Sequence, residues 1–276
     1  MKLGISSYTY PWSVGVGDEV PTVRLHALDL LARAQALDVQ VLQLADGLDL
    51  HRLSQAELDE ILHKADALGI ALEVGTRATT QQQILDYVRV ARQLRSPFLR
   101  AVVYPEAART PDRQINMAEM IDLIRDVLPE LQRNNVVLAI ETHESLLAKE
   151  LRAIIEQTNP RWVGVVFDTA NSLGCFETAE MVFAELREYI LNFHAKDVTT
   201  RRSGHSLGFV IEGTPAGRGK IDLAGLIAAT RLLPHDCNVI VEHWVPSAGT
   251  LAATMAKEQA WAEESVNYLR HVLAGA

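Results

Sequence analysis

The chain has 276 residues, 48% of them hydrophobic, and a formal net charge of −9 at pH 7. That length can fill one large core, and barrels of about 250 residues are a standing single-domain solution. An acidic chain with scattered bases makes a poor nucleic-acid binder, because such binders cluster Lys and Arg to neutralise phosphates.

From the N-terminus onward, short apolar runs alternate with amphipathic ones. Residues 3–6 are a first strand candidate. Residues 20–37 carry Leu25, Leu28, Leu31 and Ala32 at helical spacing, with Pro21 near the start, where a missing N–H does no harm. Residues 39–45 read as a second strand. Ser54–Gln55–Ala56–Glu57 is a capping box that opens a helix, and Gly69 after Leu68 closes it. Residues 70–74 form a third strand and 79–94 a third helix. Residues 98–104 are a fourth strand ended by Pro105, followed by a helix over 112–134, bent near Pro129. A fifth strand (136–141) precedes a helix over 146–157, and a sixth (163–168) precedes one over 178–188. After a seventh strand (190–194) comes a long connection, residues 195–220. Asp222 can cap a short helix over 223–233; an eighth strand (239–242) and a last helix (250–273) follow.

Eight strand–helix units with no break in composition imply a parallel sheet, since parallel strands need crossover connections. The expectation is a single (β/α)8 TIM barrel over residues 1–276, with a doubly wound open sheet as the alternative. Cys175 and Cys237 lie far apart in no paired motif and read as reduced thiols rather than a disulfide. The first residues turn polar too soon for a signal-peptide core, and no apolar run approaches the roughly 20 residues that cross a bilayer. A soluble, cytoplasmic protein without membrane association is expected.

The last four strands share an ending. Val136–Glu141, Val163–Asp168, Ile190–His194 and Val239–Glu242 each run apolar and stop at a side chain able to bind metal. In a parallel barrel the functional site lies at the C-terminal rim of the strands, and neighbouring strands are ~4.8 Å apart. Glu141, Asp168, His194 and Glu242 can therefore converge on one ion. Three carboxylates and one imidazole form a mostly oxygen donor set, which suits Mn²⁺ or Mg²⁺, with Co²⁺ and Zn²⁺ as further candidates. Any one of these residues alone reads as an ordinary rim or salt-bridged group; the series of four carries the argument.

Five motifs stand in order around these positions: Ile140–Glu141–Thr142–His143–Glu144, Phe167–Asp168–Thr169–Ala170–Asn171, Phe193–His194–Ala195–Lys196–Asp197, Gly217–Arg218–Gly219–Lys220–Ile221–Asp222 and Val241–Glu242–His243–Trp244. Over nearly the whole chain their order and spacing resemble the xylose isomerase-like TIM-barrel superfamily. That group holds sugar isomerases and epimerases, inosose dehydratases and isomerases, decarboxylases of oxidised sugars, and apurinic-site endonucleases. The resemblance implies that Glu141, Asp168, His194 and Glu242 bind a metal, and that Glu141 and Glu242 also move protons, as in the epimerases. Two positions depart from the group. Asn171 stands where relatives often have His, three residues after the Asp. The ends of the second and third strands, Val41–Asp46 and Glu73–Thr76, lack the His residues that the endonucleases use for a metal cluster. One metal is expected rather than three, and a sugar substrate rather than DNA.

With that site, a divalent ion chelated by a carbonyl and a neighbouring hydroxyl would favour an enediolate. Proton exchange by Glu141 and Glu242 then gives epimerisation or aldose–ketose exchange of a small keto-sugar or sugar acid. Loss of CO₂ from a 3-oxo sugar acid such as 3-oxo-isoapionate passes through the same kind of intermediate. An isomerase or epimerase is the first reading, a decarboxylase the alternative, and a non-catalytic sugar-binding barrel a more distant one. A homo-oligomer is implied by resemblance alone.

Further candidates have two readings each. His143 and Lys196 follow Glu141 and His194 by two residues and can face the same way. His143 is a substrate-hydroxyl donor or a rim hydrogen bond; Lys196 holds a carboxylate, phosphate or enolate oxygen, or pairs with Asp197. The Gly-rich basic segment 213–220 reads as a flexible lid, or as a phosphate loop, with Arg218 a substrate contact. Arg201, Arg202 and His205 read as solvated loop charges. Tyr8, Tyr10 and Trp12 after the first strand and Trp244 after the eighth can wall a sugar face, with Tyr8 and Trp244 as substrate contacts; ordinary rim packing is the other reading, favoured for Trp12. Glu73 and Arg77 read as a pair, and Trp261 as core packing.

Overall fold

Continuous apolar runs make the central strands, because each is covered on both faces. The computed structural model describes residues 1–275 except 17–18, 79, 104–115 and 205–206. In chain order it contains β1 (Leu3–Ser6), α1 (Pro11–Val14), α2 (Ala27–Ala36), β2 (Val41–Leu44), α3 (Gln55–Leu68), β3 (Ala71–Ala78), α4 (Gln81–Gln93), β4 (Phe98–Val103), α5 (Met117–Asn134), β5 (Val137–Glu141), α6 (Ala148–Gln157), β6 (Val163–Asp168), α7 (Ala179–Leu186) and β7 (Ile190–Ala195). There follow β8 (Asp197–Arg202), β9 (Phe209–Thr214), α8 (Leu223–Thr230), β10 (Asn238–Val241) and α9 (Leu251–Gly275).

Eight of the strands close into a parallel barrel in the order β1-β10-β7-β6-β5-β4-β3-β2. Closure is direct: Ile5 of β1 pairs with Val241 on one side and Leu42 on the other. The open sheet is thereby excluded, and the fold is a (β/α)8 TIM barrel. Apolar residues of strands and helices form one large buried cluster between the two layers. Among the described residues, no helix is long and apolar enough to cross a membrane.

Caps set many of the boundaries. Ser54 Oγ accepts the Glu57 N–H and the Glu57 carboxylate accepts that of Ser54, while Gly69 ends α3 at φ +68°. The capping box and the αL glycine are thus where the sequence placed them. Thr80 and Thr178 cap α4 and α7, and Asp222 caps α8. Pro129 lies inside α5.

Two expectations need correcting. The helix expected over 20–37 is α2, which begins at Ala27 rather than near Pro21, because the Asp29 carboxylate accepts the His26 N–H and closes the first turn there. Its buried face is Ala27, Leu30, Leu31 and Ala34; Val20 and Val23 are exposed. The connection after the seventh strand is an antiparallel hairpin, β8 on β9, paired from Asp197↔Thr214 to Arg202↔Phe209. Tyr104 and Pro105, residues 112–115 of the helix expected there, and His205 lie outside the described residues.

Candidate metal centre

Four neighbouring strands bring the four ligand candidates together. Glu141 and Asp168 end β5 and β6, His194 lies near the end of β7, and Glu242 directly follows β10. Asp168 pairs in register with His194, and His194 with Ile240. All four side chains are buried, and one ligand atom from each lies within 4.8 Å of the others. His194 Nδ1 stands 3.3 Å from Glu242 Oε1, 3.6 Å from Glu141 Oε1 and 3.8 Å from Asp168 Oδ2.

The hydrogen bonding fits a cation at this point. Both His194 ring nitrogens are buried without a hydrogen-bond partner, and Asp168 Oδ2 meets only the Lys196 ammonium, at 2.9 Å. Leaving such an atom unsatisfied costs about 1–3 kcal/mol, which a bound cation would offset. The other oxygens are used for orientation. Asp168 Oδ1 accepts the N–H groups of Ala170 and Asn171, each at 2.8 Å. Glu141 accepts from Asn171 Nδ2 at 2.9 Å and from Arg100 Nε. Ser6 Oγ donates to Glu242 Oε1 at 3.0 Å.

Charge sets the proton affinities. Burial alone would raise the Glu141 carboxyl, but Arg100, His194 and Lys196 hold it well below the usual range. Burial opposes ionisation of Glu242 too, and His194 and Lys196 pull it down to about 2. For His194 burial lowers the pKa, yet the Glu242 and Glu141 carboxylates push it up to about 10. A metal ion must displace that proton, because imidazole ligates in its neutral form.

The other candidates sort around a cavity of about 530 Å³. Tyr8, His143, Lys196 and Trp244 line it, with Trp12, Arg77, Arg100, Asn171 and residues 211–213 of β9. Lys196 faces inward: its Nζ lies 2.9 Å from Asp168 Oδ2, 3.3 Å from Glu242 Oε2 and 3.2 Å from Asn171 Oδ1, and 5.2 Å from the Trp244 ring centre. His143 pairs through Nδ1 with Glu144. Tyr8 Oη donates to Asp46 at 2.9 Å. Trp12 Nε1 donates to Val245 O at 2.8 Å, and Tyr10 is buried away from the cavity. Trp261 packs edge-on to His243.

Three expectations fall elsewhere. Arg218 does not line the cavity; it points outward and pairs with Glu264 on α9. The reason is Asp197. Its carboxylate accepts the N–H groups of Gly217 and Gly219 at 2.9 Å and of Ile221 at 3.2 Å, folding the Gly-rich segment back against the rim. The wall over the cavity is instead the hairpin, through Ile211, Glu212 and Gly213. Glu73 and Arg77 do not pair. Glu73 points into the barrel toward Gln43, Asn192 and Asn238, while Arg77 faces Asp46.

Arg100 went unnoticed in the sequence. It is 2% exposed, bonds Glu141 through Nε, and lies 3.2 Å from Asp46 through Nη1. The signal was there: a single charge inside Phe98–Leu99–Arg100–Ala101–Val102–Val103, a strand buried on both faces, demands a buried partner.

A closed parallel barrel with a carboxylate–imidazole cluster at its C-terminal rim defines a metal-competent enzyme fold. The xylose isomerase-like TIM barrel family model matches residues 28–272, and this chain belongs to that family. It is similar to the 3-oxo-isoapionate decarboxylase of Pectobacterium atrosepticum, 30% identical over 269 residues, covering 98% of this chain and 95% of the relative. Among solved structures it resembles the D-psicose 3-epimerase of Clostridium cellulolyticum H10 with D-tagatose: TM-score 0.73, 17% identity, 99% of both chains. It also resembles a xylose isomerase-like TIM barrel protein of Mycobacterium smegmatis in complex with magnesium: TM-score 0.69, 14% identity, 97% of both chains. At those identities the two structures establish a shared fold.

Proposed function

We propose that this chain is a divalent-metal-dependent decarboxylase acting on a 3-oxo sugar acid. The observation that carries this reading is the pair of cations, Lys196 and Arg100, lining the same cavity as the four-ligand cluster. Beside their protein partners, such cations gain a charge-assisted contact from a substrate carboxylate that a neutral sugar does not offer. The 30% identity to a 3-oxo-isoapionate decarboxylase across 98% of the chain supports the same reading.

Glu141, Asp168, His194 and Glu242 would hold one Mg²⁺ or Mn²⁺ ion. Such an ion, when bound, supplies Lewis-acid polarisation of the ketone. In the reaction the C–C bond to the carboxylate breaks, its electron pair passes toward the neighbouring ketone, CO₂ leaves, and a proton returns to that carbon. Glu242 is the better placed of the two glutamates to carry this proton. Both Glu141 oxygens are engaged by Arg100 and Asn171, whereas Glu242 accepts from Ser6 through Oε1 and has Lys196, at 3.3 Å, beside Oε2. Trp12, Trp244 and β9 wall the cavity in which the reacting carbon would lie.

A second reading is an isomerase or epimerase. It is favoured by the placement of Glu141 and Glu242 on different strands, where each could serve one face of a keto-sugar. Incubation with 3-oxo-isoapionate and Mn²⁺ in D₂O separates the readings. A decarboxylase releases CO₂ and places deuterium only in product. Deuterium in recovered substrate without CO₂ refutes decarboxylation in favour of epimerisation, and binding with neither indicates a sugar-binding barrel.

A further inference from the structure

Three cations line the cavity: Arg77, Arg100 and Lys196. Lys196 has a partner for each of its three donors in Asp168, Glu242 and Asn171. Arg77 stands at the mouth, half exposed, with its backbone N–H and its guanidinium both turned to Asp46. Arg100 is different. Its guanidinium is fixed from three sides: Nε on Glu141, Nη1 3.2 Å from Asp46, and its central carbon 5.3 Å from the Tyr8 ring centre. Tyr8 in turn donates to Asp46 at 2.9 Å, so the stacking ring is itself held. Among the described residues Nη2 has no protein partner, and the side chain lines the cavity.

The barrel makes room for this arrangement. Gly75 sits on β3 opposite Arg100 in register. A Cβ there would lie 2.8 Å from Arg100 Cδ and 3.1 Å from Ala45 Cβ. The absence of a side chain at 75 is therefore what lets the guanidinium lie flat beside Glu141.

Charge balance says what the remaining donor is for. In the loaded cavity three carboxylates oppose a divalent ion, Lys196 and Arg100, and Asp46 opposes Arg77. One surplus positive charge is left beside Arg100, whose side chain is 2% exposed and where an unmatched charge is costly. A planar guanidinium with an open Nη2 edge matches a planar carboxylate better than it matches a hydroxyl.

We propose that Arg100 is the specificity-determining residue of the cavity: Nη2 holds a carboxylate oxygen of a small polyhydroxy acid and selects such acids over neutral sugars. This assignment rests on the acid-substrate reading above. Tyr8, Asp46 and Gly75 are its positioning residues, since each fixes the guanidinium without standing in for it.

The test is binding, not turnover. Threonate, an unreactive trihydroxy acid, and threitol, its neutral counterpart, are titrated by calorimetry into the Mg²⁺-loaded protein. The wild type should bind threonate at least tenfold more tightly, as a charge-assisted hydrogen bond implies. Arg100→Lys keeps the charge but loses Nη2, and Gly75→Ala keeps the arginine but displaces it. Either should reduce the preference to within about threefold; circular dichroism identifies a variant that fails to fold, and the other then carries the test. If wild type shows no preference, the acid-substrate reading fails and takes this assignment with it. If the preference survives in both variants, the acid reading stands and the Arg100 assignment is overturned.

Discussion

Lys196→Met offers a sharp check on the metal centre, because it removes the ammonium that lies among the acidic ligands and keeps most of the volume. In the metal-free protein Lys196 is 4% exposed and within 3.3 Å of both Asp168 and Glu242. Breaking a buried pair by deleting one partner costs about 3–5 kcal/mol. Lys196 is one of two cations facing these carboxylates, His194 being the other, so the lower end, about 3 kcal/mol, is expected. For a chain of this size 1 kcal/mol moves Tm by about 2–4 °C, so Tm in excess chelator should fall by about 6–12 °C. A divalent ion brings two charges to the same carboxylates and stabilises the folded state by mass action. At saturating Mn²⁺ the deficit should shrink by at least half, while turnover stays far below wild type. The assay is thermal unfolding of both proteins in chelator and across a metal titration. An equal Tm deficit with and without metal would refute the shared site, since Lys196 and the ion would then act on different groups.

Two further outcomes follow from groups outside the metal cluster. Glu258 on α9 accepts the N–H groups of Trp12 and Ser13 and the Ser13 hydroxyl, and burial raises its carboxyl from 4.5 to about 6. A raised carboxyl contributes stability that is fully present below pH 4.5 and lost as pH rises through 6, about 2 kcal/mol in all. In denaturant titrations the difference between wild type and Glu258→Gln should change by that amount across this window; a constant difference contradicts the assignment. Gly213→Ala tests the hairpin wall. A Cβ there would lie 2.1 Å from Trp244 O, a backbone atom that cannot step aside. The hairpin must lift, at a cost of about 1–3 kcal/mol, and KM should rise; unchanged KM and Tm would show that the hairpin does not close the cavity.

The barrel was legible because its determinants are local. Ser54, Gly69, Thr178 and Asp222 announce helix ends through their own side chains or backbone freedom, and the apolar strands cannot be polar-faced edges. The convergence of Glu141, Asp168, His194 and Glu242 was legible because a parallel ring turns a repeated strand ending into a meeting point. What failed depended on contacts distant in sequence. Nothing within 213–220 tells that Asp197 will gather its N–H groups and turn Arg218 outward. Glu73 and Arg77 look like neighbours on paper, yet on a strand they take part in different layers. The hairpin was hidden because residues 199–202 and 209–212 leave mostly partly or fully exposed side chains, so no buried stripe marks it. Arg100 needed partners on β5 and before β3, which spacing along the chain does not reveal.

The ring is sealed by the pairing of Leu3 with Val239, more than two hundred positions apart. During synthesis three of the four candidate ligands leave the ribosome well before the closing strand exists, and Glu242 arrives immediately behind it. Docking of β10 between β1 and β7 completes the hydrophobic core and the coordination set in one act. Assembly of the four-residue cluster is thereby coupled to closure of the barrel.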